Sequence, residues 1–250
     1  MRLHKTKGIV LRTVKYGETS IIVTIFTEMF GIQSYLVNGV RASTKRGAGK
    51  ANLFQPAAIL DLIVYHNELR NLKRIKEFKW DYLYQHIFSD IKKNTVALFM
   101  VELLTKCLKQ PEANEDLFHF VEDAFLRLDE SSEMVTANFP LFFALHLAVF
   151  FGVLPNPLKE DVKDPENLYF DLKEGNFTYY QPDHPHFIEG KQAHVTAELL
   201  KVMQPAELED IKLNHDFRRN LLYAYEAYYA FHIQDFGTMK TLPVLKEILN

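Results

Sequence analysis

Residues 20–27 read Ser20-Ile21-Ile22-Val23-Thr24-Ile25-Phe26-Thr27. β-branched and aromatic side chains follow one another almost without a break, and such residues fit a pleated surface better than a helix. A short continuous apolar run of this kind is expected as a strand buried on both faces. The flanking segments extend the pattern. Gly31 ends the run, and residues 32–40 then alternate, with Gln33, Tyr35 and Val37 on one face and Ile32, Ser34 and Leu36 on the other. Upstream, Tyr16-Gly17-Glu18 is turn chemistry, and residues 6–14, around Gly8-Ile9-Val10-Leu11, make a first strand. Residues 53–64 form a fourth, with Pro56 near its start where an edge or a bulge tolerates it, and residues 72–78 a short fifth. Five short strands with glycine at the bends fit a small, partly open barrel of the OB type, an architecture that commonly binds oligonucleotides.

From residue 81 the period changes. Val96, Phe99, Met100, Leu103, Leu104, Cys107 and Leu108 fall at helical spacing, and the helix ends before Pro111. Asn114 is an N-cap candidate, with Glu115 and Asp116 placed to complement the dipole of the next helix. Residues 139–151 are apolar nearly all round, as a central buried helix is, and Gly152 stops them. Residues 155–190 are irregular and proline-rich, with a hairpin expected over 170–177. Helical patterning resumes at 195–203, 217–236 and 242–249. The fold class is therefore α+β: an OB-type barrel domain over residues 1–80, then a mostly helical domain over 81–250 with an irregular insert at 155–190.

Charge divides the chain at the same place. Residues 1–80 carry 14 Lys/Arg against 5 Asp/Glu, a balance of +9, and residues 81–250 carry 15 against 27, a balance of −12. A polyanion-binding part joined to an acidic part with another task fits this asymmetry. With 48% hydrophobic residues the chain can bury a core, and its charged content excludes a wholly disordered chain. No apolar run approaches the ~18 residues of a membrane span. The N-terminus lacks a signal-peptide pattern, and the single cysteine, Cys107, permits no intrachain disulfide and no cysteine-rich zinc site. A cytoplasmic, nucleoid-associated protein is expected.

The cations are grouped. Arg41-Ala42-Ser43-Thr44-Lys45-Arg46-Gly47-Ala48-Gly49-Lys50 holds four of them without an acidic residue, in a loop too small in side-chain bulk to build a core. Arg2, Lys5, Lys7, Arg12 and Lys15 lie on the first strand, and Arg70, Lys73, Arg74, Lys76 and Lys79 in the last strand region. Tyr16, Tyr35 and Tyr65 are interleaved, and aromatic faces stack on unpaired bases. The plainer account of each tyrosine is half-buried packing, and of the loop a solvated hairpin. No nucleotide-binding, nucleophile-elbow or zincin motif is present, so no catalytic residue is assigned. His119 with Glu122 and Asp123, and Asp183-His184-Pro185-His186 with His194, offer only loose metal-ligand spacing, so neither metal nor cofactor is expected.

The first domain resembles a known family. Gly8-Ile9-Val10-Leu11, Tyr16-Gly17-Glu18-Thr19-Ser20, Phe26-Thr27 with Gly31, Gly39-Val40-Arg41 and Gln55-Pro56 are similar in order and spacing to the N-terminal OB domain of the RecO recombination mediators. Gly152-Val153-Leu154-Pro155 and Met239-Lys240-Thr241-Leu242-Pro243-Val244-Leu245 are similar to later parts of the same family. The resemblance implies a non-enzymatic role in recombinational repair: binding single- and double-stranded DNA, annealing complementary strands, and helping load RecA onto DNA coated by single-strand-binding protein. It also implies RecR and the acidic C-terminal tail of single-strand-binding protein as partners. The DNA-binding set expected is Arg2, Lys5, Lys7, Arg12, Lys15, Tyr35, Arg41, Lys45, Arg46, Lys50, Arg70, Lys73, Arg74 and Lys76. One departure is clear. Many members carry a four-cysteine zinc site in the insert, and residues 156–190 hold no cysteine. Two other functions share the electrostatics: an adaptor that takes an acidic protein partner, and an RNA-binding barrel.

Overall fold

The computed structural model describes residues 2–41, 50–67, 70–156, 158, 162 and 164–249. Five strands, β1 (Arg2–Tyr16), β2 (Ser20–Thr27), β3 (Gly31–Val37), β4 (Ile59–His66) and β5 (Leu72–Trp80), close a barrel in the order β1-β2-β3-β5-β4. β1 is long enough to serve two neighbours, pairing with β4 from Arg2 to Ile9 and with β2 from Gly8 to Tyr16. A register shift between Val10 and Arg12 marks a bulge, which bends the strand and resets which side chains face outward. Closure is by a short parallel pairing, Ser34↔Leu72, Tyr35↔Lys73 and Leu36↔Arg74. Val10, Val23, Ile25, Leu60, Leu62 and Val64 are buried inside the barrel, while the Ile9–Phe26 pair, equally buried, lies on the opposite side of its strands.

Three expectations need correction here. β2 is buried on both faces only at its end, where Ile25, Phe26 and Thr27 are all buried: before that Ile21 and Val23 are buried while Ile22 and Thr24 are half-buried, the alternation of an antiparallel strand with one solvated side. The fourth strand starts later than residue 53, because Lys50–Phe54 is a short 3-10 helix and β4 begins only at Ile59. Pro56 therefore precedes the strand and removes no ladder hydrogen bond. The third concerns membrane-scale hydrophobicity. Residues Glu133–Phe151 are long and apolar enough to cross a bilayer by length and composition, but 67% of that window is buried within the protein. Apolar character all round is what a central core helix requires.

By compactness the chain divides into two units, Met1–Gln85 with Leu108–Leu126, and His86–Cys107 with Arg127–Asn250. In the first, Phe118 of helix α2 (Glu115–Glu130) packs its ring 5.7 Å from Phe26 of the barrel. Asn114 caps that helix, its Oδ1 accepting from the Leu117 N–H at 2.9 Å.

In the second unit, α1 (Ile91–Cys107) and α3 (Glu133–Leu147) pack together, and α3 runs on as a 3-10 turn to Phe151 before Gly152. Buried Asn138 on α3 donates to the carbonyls of Leu208 and Ile211. Helices α4 (Lys191–Lys201), α5 (His215–His232) and α6 (Thr241–Ile248) complete it. The insert contains the expected hairpin, β6 (Tyr169–Asp171) with β7 (Asn176–Thr178), and a third strand, β8 (Phe187–Glu189), on the other side of β6. The Phe170 ring stacks on Phe177 at 4.7 Å, and Asp171 Oδ1 accepts from the Lys173 and Glu174 N–H groups.

Candidate nucleic-acid interface

Outside the barrel, register places side chains of four strands in two neighbouring rows. One row runs Arg12, Thr24, Ser34, Leu72, and the next Val14, Ile22, Leu36, Arg74. The bulge in β1 is what turns Arg12 to this face, since Val10 just before it is fully buried. The outer members of each row are exposed and the inner ones half-buried. The patch is thus a solvated floor of hydroxyl and aliphatic groups with guanidinium groups at opposite corners. At one edge lies the β1–β2 turn, where Lys15 and Tyr16 are exposed, Tyr16 at 53%. Arg41 joins that edge, donating from Nη1 to the Gly17 carbonyl at 3.2 Å and from its backbone N–H to the Thr19 carbonyl. At Arg41 the chain therefore lies beside the β1–β2 turn. Lys50 is exposed where the chain returns, and Lys45 and Arg46 lie outside the described residues.

The expected cations separate by their partners. Among the described residues, Arg2, Lys5, Arg12, Lys15, Lys50, Arg70 and Arg74 have no carboxylate within ion-pair distance. Their positive charge is free to meet an anion from solvent. Lys7 is not so placed: its ammonium lies 2.8 Å from Glu122 Oε1 and 3.1 Å from Asp81 Oδ2. The hydrogen bond to Glu122 outweighs burial and holds the Lys7 pKa above its ordinary value. Lys76 pairs with Glu77 at 3.4 Å and Lys79 with Asp61 at 3.2 Å, both exposed enough for solvent to screen them.

Two members of the expected set face inward. Tyr35 is 0% exposed, its hydroxyl lacks a hydrogen-bond partner among the described residues, and burial raises its pKa, so it has no face for a base to stack on. Alternation puts Lys73 on the same inward side, because it pairs directly with Tyr35 across the closure. Tyr65, half-buried, stands opposite Arg74. The threonine, serine and aliphatic floor between Arg12 and Arg74 was not singled out from the sequence. Alternation shows which residues share a face, but only the pairing shows which faces adjoin.

The loose metal-ligand spacings resolve into ordinary contacts. His119 lies 3.6 Å from Glu28 and 3.5 Å from Glu122, and Glu122 already holds Lys7. His184 Nε2 lies 3.2 Å from Asp171 Oδ2, within the insert. No group of three or more metal-ligating side chains arranged to hold an ion occurs among the described residues.

The helical unit has its own concave site, between α5 and α6. Leu222, Leu242, Leu245 and Leu249 make it apolar, and Arg218, Arg219 and Lys246 line it. Arg219 is paired with Asp216 at 3.0 Å. Arg218 donates from Nη1 to the Leu213 carbonyl, but its buried Nε–H has no acceptor among the described residues, and burial lowers its pKa. Local positive charge around an apolar cleft suits a short acidic, hydrophobic segment.

Residues 1–84 match the family model described as recombination protein O N terminal, and residues 88–241 the one described as recombination protein O C terminal. Curated relatives named DNA repair protein RecO align along nearly their whole length. That of Phocaeicola vulgatus is 33% identical over 248 residues, covering 99% of this chain and 100% of the relative. That of Bacteroides fragilis is 33% identical over 249 residues, with 99% and 100% covered. That of Flavobacterium johnsoniae is 33% identical over 247 residues, with 98% and 99% covered.

Proposed function

The chain belongs to the RecO family of DNA repair proteins, and from that premise we propose that it is a non-enzymatic recombination mediator. In this reading it binds single- and double-stranded DNA, anneals complementary strands, and assists RecA loading on DNA coated by single-strand-binding protein. The observation that carries the reading is the outward barrel face, where Arg12 and Arg74 flank a hydroxyl and aliphatic floor with Lys15, Tyr16 and Arg41 at its edge. Cations without carboxylate partners neutralise phosphates, and the absence of a base-specific grip is what annealing of arbitrary sequences needs. The proposed contact set is Arg2, Lys5, Arg12, Lys15, Arg41, Lys50, Arg70 and Arg74, with Lys45 and Arg46 of the basic loop. No bond is made or broken in this function, so it needs no catalytic group.

The proposed partners are RecR and the acidic C-terminal tail of single-strand-binding protein, at the bacterial nucleoid. The α5–α6 cleft supports the tail, since it sets Arg218, Arg219 and Lys246 around an apolar floor that would face an acidic, hydrophobic terminus. The test of the DNA reading is the salt dependence of single-strand binding. Replacing Arg12, Lys15 and Arg74 together by alanine is expected to flatten the log–log slope by roughly 2, at about 0.7 for each phosphate no longer neutralised, and to slow annealing. An unchanged slope would remove this face from the interface.

A further inference from the structure

Lys73 is a cation that the outward face does not use. It is 6% exposed, and among the described residues its ammonium is held by neutral oxygens, Gln33 Oε1 at 2.5 Å and the Arg70 carbonyl at 3.0 Å. Gln33 donates in turn through Nε2 to the Phe30 carbonyl, so the start of β5 and the β2–β3 turn form one frame. Beside this frame the first unit has a cleft. Lys73, Arg70, Ser34 and the rings of Phe30 and His66 line it, with Glu112 also on its wall. The two rings are stacked, with centroids 3.8 Å apart and planes within 10°. Arg70 is exposed and, among the described residues, has no acidic partner. A recessed positive charge with no counter-ion among the described residues is costly to bury, and an anion entering the cleft would supply that charge.

We propose that this cleft takes the terminal phosphate of a nucleotide, with Lys73 and Arg70 on the phosphate oxygens and the Phe30–His66 wall beside the sugar and base. The inference rests on the nucleic-acid reading above and specifies one end of the strand within it. Two features favour a terminal group over an internal one. An internal phosphodiester continues in both directions and lies along a surface, whereas Lys73 is 6% exposed in the wall of a cleft. A phosphomonoester also carries roughly −1.5 to −2 charges near neutrality, as phosphorylated side chains do, and so answers both cations. The Glu112 carboxylate opposes the charge of the ligand, which makes its neutralisation a gain-of-binding control.

The experiment measures anisotropy of a labelled oligothymidylate ending in a 5′-phosphate, a 3′-phosphate or hydroxyls only, with dTMP as competitor. The wild type is compared with Lys73→Met, Arg70→Gln and Glu112→Gln in the full chain. A phosphorylated end should bind about tenfold tighter than a hydroxyl end, the size expected for one or two charge-assisted hydrogen bonds. Lys73→Met should erase that preference while hydroxyl-ended strands bind as before, Arg70→Gln should weaken every strand but phosphorylated ends by the larger factor, and Glu112→Gln should enlarge the preference. Arg70 is on the surface, so its variant remains informative even if Lys73→Met destabilises the barrel. If the preference is absent but dTMP binds saturably and is lost in Lys73→Met, the site stands and free nucleotide is its ligand. If neither a phosphorylated end nor dTMP is preferred, the inference is overturned, while binding of hydroxyl-ended strands separately reports on the proposed function.

Discussion

Gly31 and Gly39 both sit at positive φ, +61° and +70°, yet they are not equivalent. A Cβ added at Gly31 would meet the carbonyl oxygens of Glu112 and Pro111 at 2.2 and 2.3 Å, and both are backbone atoms that cannot swing aside. At Gly39 an added Cβ meets nothing within 4 Å. Gly39→Ala should therefore cost only the left-handed conformation, about 1–2 kcal/mol, and Gly31→Ala roughly 3 kcal/mol or more, read as a difference in urea midpoint. Equal costs would refute the close approach of residues 111–112 to the β2–β3 turn. His146 gives a residue-scale prediction in pH. Its Nε2 lies 3.2 Å from the Leu199 carbonyl and its ring 4.3 Å from Phe142, and burial holds its pKa below the ordinary value. The unfolded chain then binds a proton more readily than the folded one, so stability is retained above pH ~6.5 and falls as pH drops below it. His146→Leu should lessen that decline between pH 7 and 5. An identical pH–stability curve for the variant would place the titration elsewhere.

At the scale of elements, α2 illustrates how far local sequence reaches. Asn114 was legible as its cap because capping chemistry lies within one turn, and the bond from the Leu117 N–H to Asn114 Oδ1 is present at 2.9 Å. Asn114→Ala should cost about 1 kcal/mol, seen as a lower denaturation midpoint with an unchanged m-value. All five barrel strands and the buried helix α3 were legible for the same reason, since period and composition act over ten residues or so. The third strand of the insert, Phe187–Glu189, was not. Three residues next to Pro185 cannot display a period, and the strand exists because Phe170 of β6 lies opposite Ile188. The inward turn of Tyr35 and Lys73 was hidden in another way. Alternation sorts residues into two faces but does not label one as interior, and the label comes from barrel closure between β3 and β5, some forty positions apart in sequence. The Lys7–Glu122 pair spans 115 positions, so the loss of Lys7 from the free cations had no local signal at all.

At the scale of the whole chain, sequence order and compactness do not coincide. The barrel unit takes in Leu108–Leu126, although His86–Cys107, which precede it, belong to the helical unit. What the later segment brings to the barrel is specific: the Phe118 ring beside Phe26, the Glu122 carboxylate on Lys7, and the backbone of residues 111–112 against Gly31. Burying a phenylalanine side chain contributes about 1.5–3 kcal/mol, a large share of the margin by which a domain this small is stable. Glu122 also removes one uncompensated charge from a strand rich in them. A fragment of residues 1–85 is therefore expected to melt well below the full chain and with a broader transition. A synthetic peptide of residues 108–126 added in trans should raise that midpoint in a concentration-dependent way, as any ligand selective for the folded state does. The same peptide with Phe118→Ala and Glu122→Gln should do so weakly or not at all. A fragment ending at residue 85 that unfolds cooperatively and gains nothing from the peptide would mean that the barrel is sufficient by itself, and that Phe118 and Glu122 contribute nothing to its stability.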